Sequence, residues 1–161
     1  MKVALDTSYF MFGFNLSPKQ SIPQNCLDII SQNKEIDEII YSDLVIFELN
    51  AKSSKLLPNC SDLNEKTNLL VELDKLKKFK LIRSINESVW ELACFLRQYH
   101  KDFVDCVHWA VSINESVDIF LTEDENIIKL TEKKEFRNDY QKRKFKSLVE
   151  VKNFKQFKEE L

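Results

Sequence analysis

Four acidic residues stand where an unpaired carboxylate is costly unless it has a partner or a task. Asp6 closes the apolar run Val3, Ala4, Leu5; Glu48 sits among Ile46, Phe47 and Leu49. Asp105 lies between Val104 and Cys106, and Asp124 follows the run Ile119–Leu121 and its Thr122. Two such charges about 4 Å apart repel by about 4 kcal/mol at an effective dielectric of about 20. A cluster of them therefore needs protonated members or a cation. Oxygen donors without His or Cys favour Mg2+ or Mn2+, and a hard divalent ion so held activates water and neutralises a phosphoryl-transfer transition state. Each acid alone has a plainer explanation. Asp6 or Asp124 could be a helix N-cap, Asp105 could pair with a lysine, and Glu48 could lie on a solvent face.

For the acids to meet, strands must end beside one another. Val3–Leu5 reads as a short buried strand, with a helix beginning near Ser8 and capped by Thr7 or Ser8. Ile36–Tyr41, Lys80–Arg83, Asp118–Thr122 and an alternating, edge-like Phe145–Val151 read as further strands. Between them the apolar spacing predicts helices over Gln24–Asn33, from Ser42-Asp43 to Pro58, over Asp62–Phe79, after Ser84 or Asn86, over Asp102–Ile113 and after Asp124, with a last short one in Asn153–Leu161. Tyr99–Lys101 breaks the pattern between two of these helices, and Glu132–Lys144 is polar enough to be read as mobile. Strands alternating with helices predict a parallel sheet covered on both faces. In such sheets ligands bind at the carboxyl ends of the strands, where Asp6 and Asp124 would fall.

His108 is one helical turn from Asp105, but between Val107 and Trp109 it reads as a packed, hydrogen-bonded core residue, since a lone His gives no metal-ligand spacing. Trp90, Trp109 and the phenylalanines at helical spacing are likewise expected in the core.

Composition narrows the classes. The 161 residues are expected to form one domain, 1–161, of ordinary soluble character, with 43% hydrophobic and 31% charged residues. A single glycine, Gly13, excludes the glycine-rich phosphate loops. Cys26, Cys60, Cys94 and Cys106 form no CxxC pair, which argues against zinc and for reduced thiols. No apolar run reaches the ~20 residues of a membrane span, and no secretion signal is seen, so a cytoplasmic protein without a membrane partner is expected. From Lys129 onward 11 Lys/Arg face 6 Asp/Glu, although the whole chain carries −2. A basic tail points to a polyanionic partner, but it reads first as a solvated helical surface.

Four short segments become specific together. LDTS, SDLVIFEL, DFVDCVHWAVS and FLTEDENI, in that order, resemble the four motifs of PIN-domain nucleases, most closely the VapC-like group, over essentially the whole chain. The resemblance implies a three-layer α/β/α sandwich around a central, mostly parallel sheet. It implies Asp6, Glu48, Asp105 and Asp124 as catalytic residues and ligands of one or two Mg2+ or Mn2+, with Thr7, Ser8, Thr122, Glu123 and Asn126 as accessory residues. It implies RNA as substrate, a homodimer, and an antitoxin partner if the chain is a toxin. The sequence departs from the pattern in three places. Glu123 stands where the family often has a basic or neutral residue and competes with Asp124 for the site. Asn126 replaces a common acid. Asn114-Glu115-Ser116 makes a turn that often carries glycine, with Asn114 suited to the left-handed conformation. The competing expectation is a PIN-like RNA- or protein-binding scaffold that has lost cleavage. A carboxylate-site phosphatase would want a DxDx[TV] motif, which Asp6-Thr7-Ser8 does not supply.

Overall fold

The computed structural model describes residues 1–14, 16, 22–53, 78–83 and 85–160. Along the chain these give β1 (Lys2–Leu5), α1 (Thr7–Gly13), α2 (Cys26–Gln32), β2 (Glu38–Ser42), α3 (Asp43–Ser53), β3 (Phe79–Ile82), α4 (Glu87–Leu96), α5 (Phe103–Asn114), β4 (Ile119–Leu121), α6 (Glu125–Glu132), α7 (Lys134–Lys142), β5 (Glu150–Lys152) and α8 (Phe154–Glu159). The expected helix over Asp62–Phe79 and the helix end at Pro58 lie outside the described residues, save for its last two positions.

All four strand pairings are parallel, in the order β3-β2-β1-β4-β5. Strand residues alternate between two cores. Val3, Leu5, Ile39, Tyr41, Ile119 and Leu121 face α1, α2, α3 and α8. Ala4, Ile40, Phe120 and Val151 face α4 to α7, around the buried Trp109. Helices on both faces of a parallel sheet make the three-layer α/β/α sandwich that the motifs implied. The strand order reverses between β1 and β4, because the chain runs outward to β2 and β3 and then returns to the far side of β1. That switch point opens a crevice at the carboxyl ends of β1 and β4.

The expected mobile run at Glu132–Lys144 is instead largely α7. Phe136 and Tyr140, one turn apart, are buried against Phe95, and Phe136 also meets Trp109. Two aromatic anchors suffice to dock an otherwise polar helix. The strand expected over Phe145–Val151 is paired only at Glu150–Lys152, since β4 offers three partners, Ile119, Phe120 and Leu121. It is an edge strand, as expected. The left-handed residue of the turn before β4 is Ser116, with φ 53°, rather than Asn114. Trp90 is not a core residue: it is half-exposed and stacks on Phe103 at 5.5 Å. The single glycine of the chain lies where α1 crosses α2, and a Cβ there would come within 2.5 Å of the Leu27 side chain. No helix among the described residues is long and apolar enough to cross a membrane.

Candidate metal centre

β1 ends by handing Asp6 to the crevice. The Asp6 N–H still bonds Leu121 O at 3.0 Å, as a last rung of the β1–β4 pairing. Its side chain then caps α1, accepting from Thr7 N at 2.6 Å, and also accepts from Ser8 Oγ at 2.9 Å and Thr122 Oγ1 at 3.1 Å. The cap expected at Thr7 or Ser8 is thus Asp6 itself. The N-cap uses Oδ1, and Oδ2 is the oxygen that accepts from Ser8 and Thr122.

Glu48 enters from α3 beside Asp6. Its Oε2 accepts from Thr7 Oγ1 at 2.5 Å and from His108 Nε2 at 2.9 Å, and Lys52, one turn on, reaches Oε1 at 2.9 Å. A carboxylate offers only lone pairs here, so His108 carries its proton on Nε2, and Nδ1 is the acceptor for Ser42 Oγ at 3.0 Å. Burial pushes the Glu48 carboxyl up, but the hydrogen bonds from His108, Thr7 and Lys52 outweigh it and hold the group at about 2. His108 is buried and hydrogen-bonded, as expected, but its partners are site residues.

The second group lies across the crevice. Asp105 stands in the first turn of α5, behind its N-cap Asp102. Asp124 caps α6 through Asn126 N at 2.7 Å, and its own N–H donates to Thr122 Oγ1 at 3.1 Å. Between the two acids sits buried His100, its Nε2 3.2 Å from Asp105 Oδ2 and 3.6 Å from Asp124 Oδ2. Burial and then the charges of Asp6 and Asp102 push the Asp105 carboxyl up to about 6, against the opposing pull of His100. Lys52 feels Glu48, Asp6 and Asp105 together, so the two groups share one electrostatic neighbourhood.

Glu123 does not join them. Its Oε1 accepts from Tyr9 OH and from Phe154 N, both at 2.9 Å, tying α1 to the start of α8. Burial and the charge of Glu123 drive the Tyr9 phenol far above its usual range. Of the two competing acids, Asp124 is the one beside Asp105. For Asn126 it is the backbone N–H that meets Asp124, in the cap. Sequence reading passed over His100, Ser42 and Lys52. For His100 the available signal was a histidine in the break five residues before Asp105; Ser42 and Lys52 carry none that spacing would reveal.

Among the described residues two sets of three side chains, Asp6–Glu48–His108 and His100–Asp105–Asp124, each bring one ligand atom per residue within 4.8 Å of one another. The carboxylates of these sets suit a divalent cation, and Asp105, raised first by burial and then by the charges of Asp6 and Asp102, is a group whose ionised form a cation would favour.

Residues 3–133 match the family model of the PIN domain. The chain belongs to the PIN domain family. No curated protein matches it in sequence. Among solved structures, this PIN domain is similar to VapBC2 from Rickettsia felis bound to a DNA fragment from their promoter (TM-score 0.60, 16% identity, covering 95% of this chain and 98% of that one). It is similar to VapBC-1 from nontypeable Haemophilus influenzae (TM-score 0.59, 14% identity, 95% and 98% covered). It is also similar to VapC20 of Mycobacterium tuberculosis, described as a sarcin-ricin loop cleaving toxin (TM-score 0.57, 10% identity, 78% and 92% covered). At these identities the likeness is one of fold. β5 and α8 lie beyond the matched residues and complete the sheet and one of its covering layers.

Proposed function

We propose that this PIN domain is a Mg2+- or Mn2+-dependent endoribonuclease and the toxin of a toxin–antitoxin pair. What supports the reading is that Asp6 and Glu48 stand in one donor set and Asp105 and Asp124 in another, with Lys52 feeling the charge of Glu48, Asp6 and Asp105. Asp6, Glu48, Asp105 and Asp124 would hold one or two cations. When bound, the cation polarises the phosphodiester, makes a water molecule a better nucleophile and offsets charge on the leaving oxygen.

The chain's own residues prepare that chemistry. Thr7 N, Ser8 and Thr122 fix the Asp6 carboxylate. Thr7, His108 and Lys52 keep Glu48 ionised and turned inward. The Asp105 carboxyl, raised to about 6 by burial and the charges of Asp6 and Asp102, would give up its proton were a cation held there. RNA is the substrate class because VapC20, of like fold, is described as cleaving the sarcin-ricin loop. The VapBC complexes support an antitoxin as protein partner. We take residues 1–161 as one domain, acting in the cytoplasm as a homodimer.

The test is Mn2+-dependent cleavage of a mixed RNA pool by the purified protein. Cleavage by the wild type and its loss in a folded Asp6→Asn variant are expected. Equal cleavage by Asp6→Asn, or none by wild type that binds Mn2+, overturns the reading.

A further inference from the structure

The two histidines of the chain both reach the crevice, but they are used differently. His108 has both ring nitrogens engaged by protein: Nε2–H donates to Glu48 at 2.9 Å and Nδ1 accepts from Ser42 Oγ at 3.0 Å. No lone pair is left for a ligand. His100 Nε2 hydrogen-bonds Asp105 Oδ2 at 3.2 Å and lies 3.6 Å from Asp124 Oδ2; a cation taking that place would displace the shared proton from Nε2, to Nδ1 or to solvent. Neighbouring donors around a six-coordinate Mg2+-sized ion lie about 3 Å apart, given bonds of about 2.1 Å. The separation of His100 Nε2 and Asp105 Oδ2 is close to that spacing.

The imidazole is also held in place. The His100 N–H bonds Leu96 O at 3.0 Å, and its carbonyl accepts from Arg97 Nη1 at 3.2 Å and from Cys106 Sγ at 3.7 Å. These contacts fix the backbone of the α4–α5 connection on both sides of the ring. The side chain is 4% exposed, so it meets the acids and little water.

We propose that His100 is a nitrogen ligand, through Nε2, to the cation held by Asp105 and Asp124, and that it makes this centre prefer Mn2+ to Mg2+. An imidazole donor suits a transition metal, whereas Mg2+ favours oxygen and keeps its waters. The inference rests on the metal-dependent reading above and adds the ligand and the metal preference to it.

The test is pulsed EPR of Mn2+ bound to the full chain, with calorimetric titration of Mn2+ and Mg2+ and RNA cleavage on the same preparations. Wild type is expected to show nitrogen modulation that changes from the 14N to the 15N pattern when histidine is 15N-labelled. The modulation should persist in His108→Gln and vanish in His100→Gln, with Mn2+ affinity falling about tenfold or more and Mg2+ affinity less than about threefold. Should His100→Gln not fold, the labelled signal retained in His108→Gln carries the same assignment. Mn2+ binding without histidine nitrogen modulation, or with modulation that His108→Gln abolishes, overturns the ligand role while leaving the nuclease reading intact. Nitrogen modulation from His100 with no cleavage overturns the nuclease reading and keeps the ligand role. Absence of Mn2+ binding overturns both.

Discussion

The two halves of the crevice are built on opposite principles. In the Asp6–Glu48–His108 half every carboxylate is matched to donors the protein supplies, from Thr7, Ser8, Thr122, His108 and Lys52. In the His100–Asp105–Asp124 half two acids share one histidine, and burial together with neighbouring charge keeps Asp105 reluctant to ionise. The first half is finished by folding alone. In the second, burial and neighbouring charge leave Asp105 reluctant to ionise, and a cation from outside would offset both. A metal site needs both: rigid ligands that do not collapse onto one another, and an unmet charge that makes binding favourable.

The comparison can be broken by removing one member at a time. The largest effect is expected at Asp6, which serves the cap and is proposed to serve the site. Asp6→Asn keeps a good N-cap residue, so the melting temperature should move little, while Mn2+-dependent RNA cleavage should fall more than about 100-fold. His108→Ala strikes the half completed by protein donors. It removes a buried donor from Glu48 and opens a cavity, and urea unfolding should show a loss of about 3 kcal/mol.

The opposite sign is expected across the crevice. In metal-free protein the Asp105 carboxyl is raised to about 6 from its ordinary value near 4, so above pH 6 its ionisation works against folding. Asp105→Asn should therefore stabilise the metal-free protein by about 2 kcal/mol at pH 7.5, and the gain should vanish as the pH falls through 6 towards 4. Glu48 behaves conversely. Its carboxyl is held at about 2, so its contribution is complete above its unfolded value of about 4.5 and is lost as the pH falls towards 2. Equal pH profiles for Asp105→Asn and Glu48→Gln in metal-free unfolding would dissolve the distinction between the halves. The smallest effect sharpens the choice between neighbours. Glu123→Ala leaves Tyr9 OH and Phe154 N without their acceptor and should cost about 1 kcal/mol in urea unfolding. Mn2+ affinity by calorimetry should stay within about threefold of wild type.

The sequence by itself determined the framework and singled out the four acids proposed as ligands. Short β-branched runs between amphipathic helices leave a covered parallel sheet as the arrangement that buries both faces, and strands that end in Asp6 and Thr122-Glu123-Asp124 deliver acids to its rim. These signals are local, because they lie in the periodicity and punctuation of adjacent residues. Only the tertiary structure decided which groups face one another. Glu123 and Asp124 are adjacent in the chain, yet one ties α1 to α8 and the other faces Asp105, because the turn into α6 sends successive side chains in different directions. His100 looked like part of a helix break, and its meeting with Asp124 spans 24 positions and exists only once the α4–α5 connection lies beside the start of α6. α7 looked mobile because its composition is polar, and it is ordered by the two aromatic residues that reach across to Phe95. Pairings of this kind depend on which surfaces close over one another, and no local pattern in the chain encodes them.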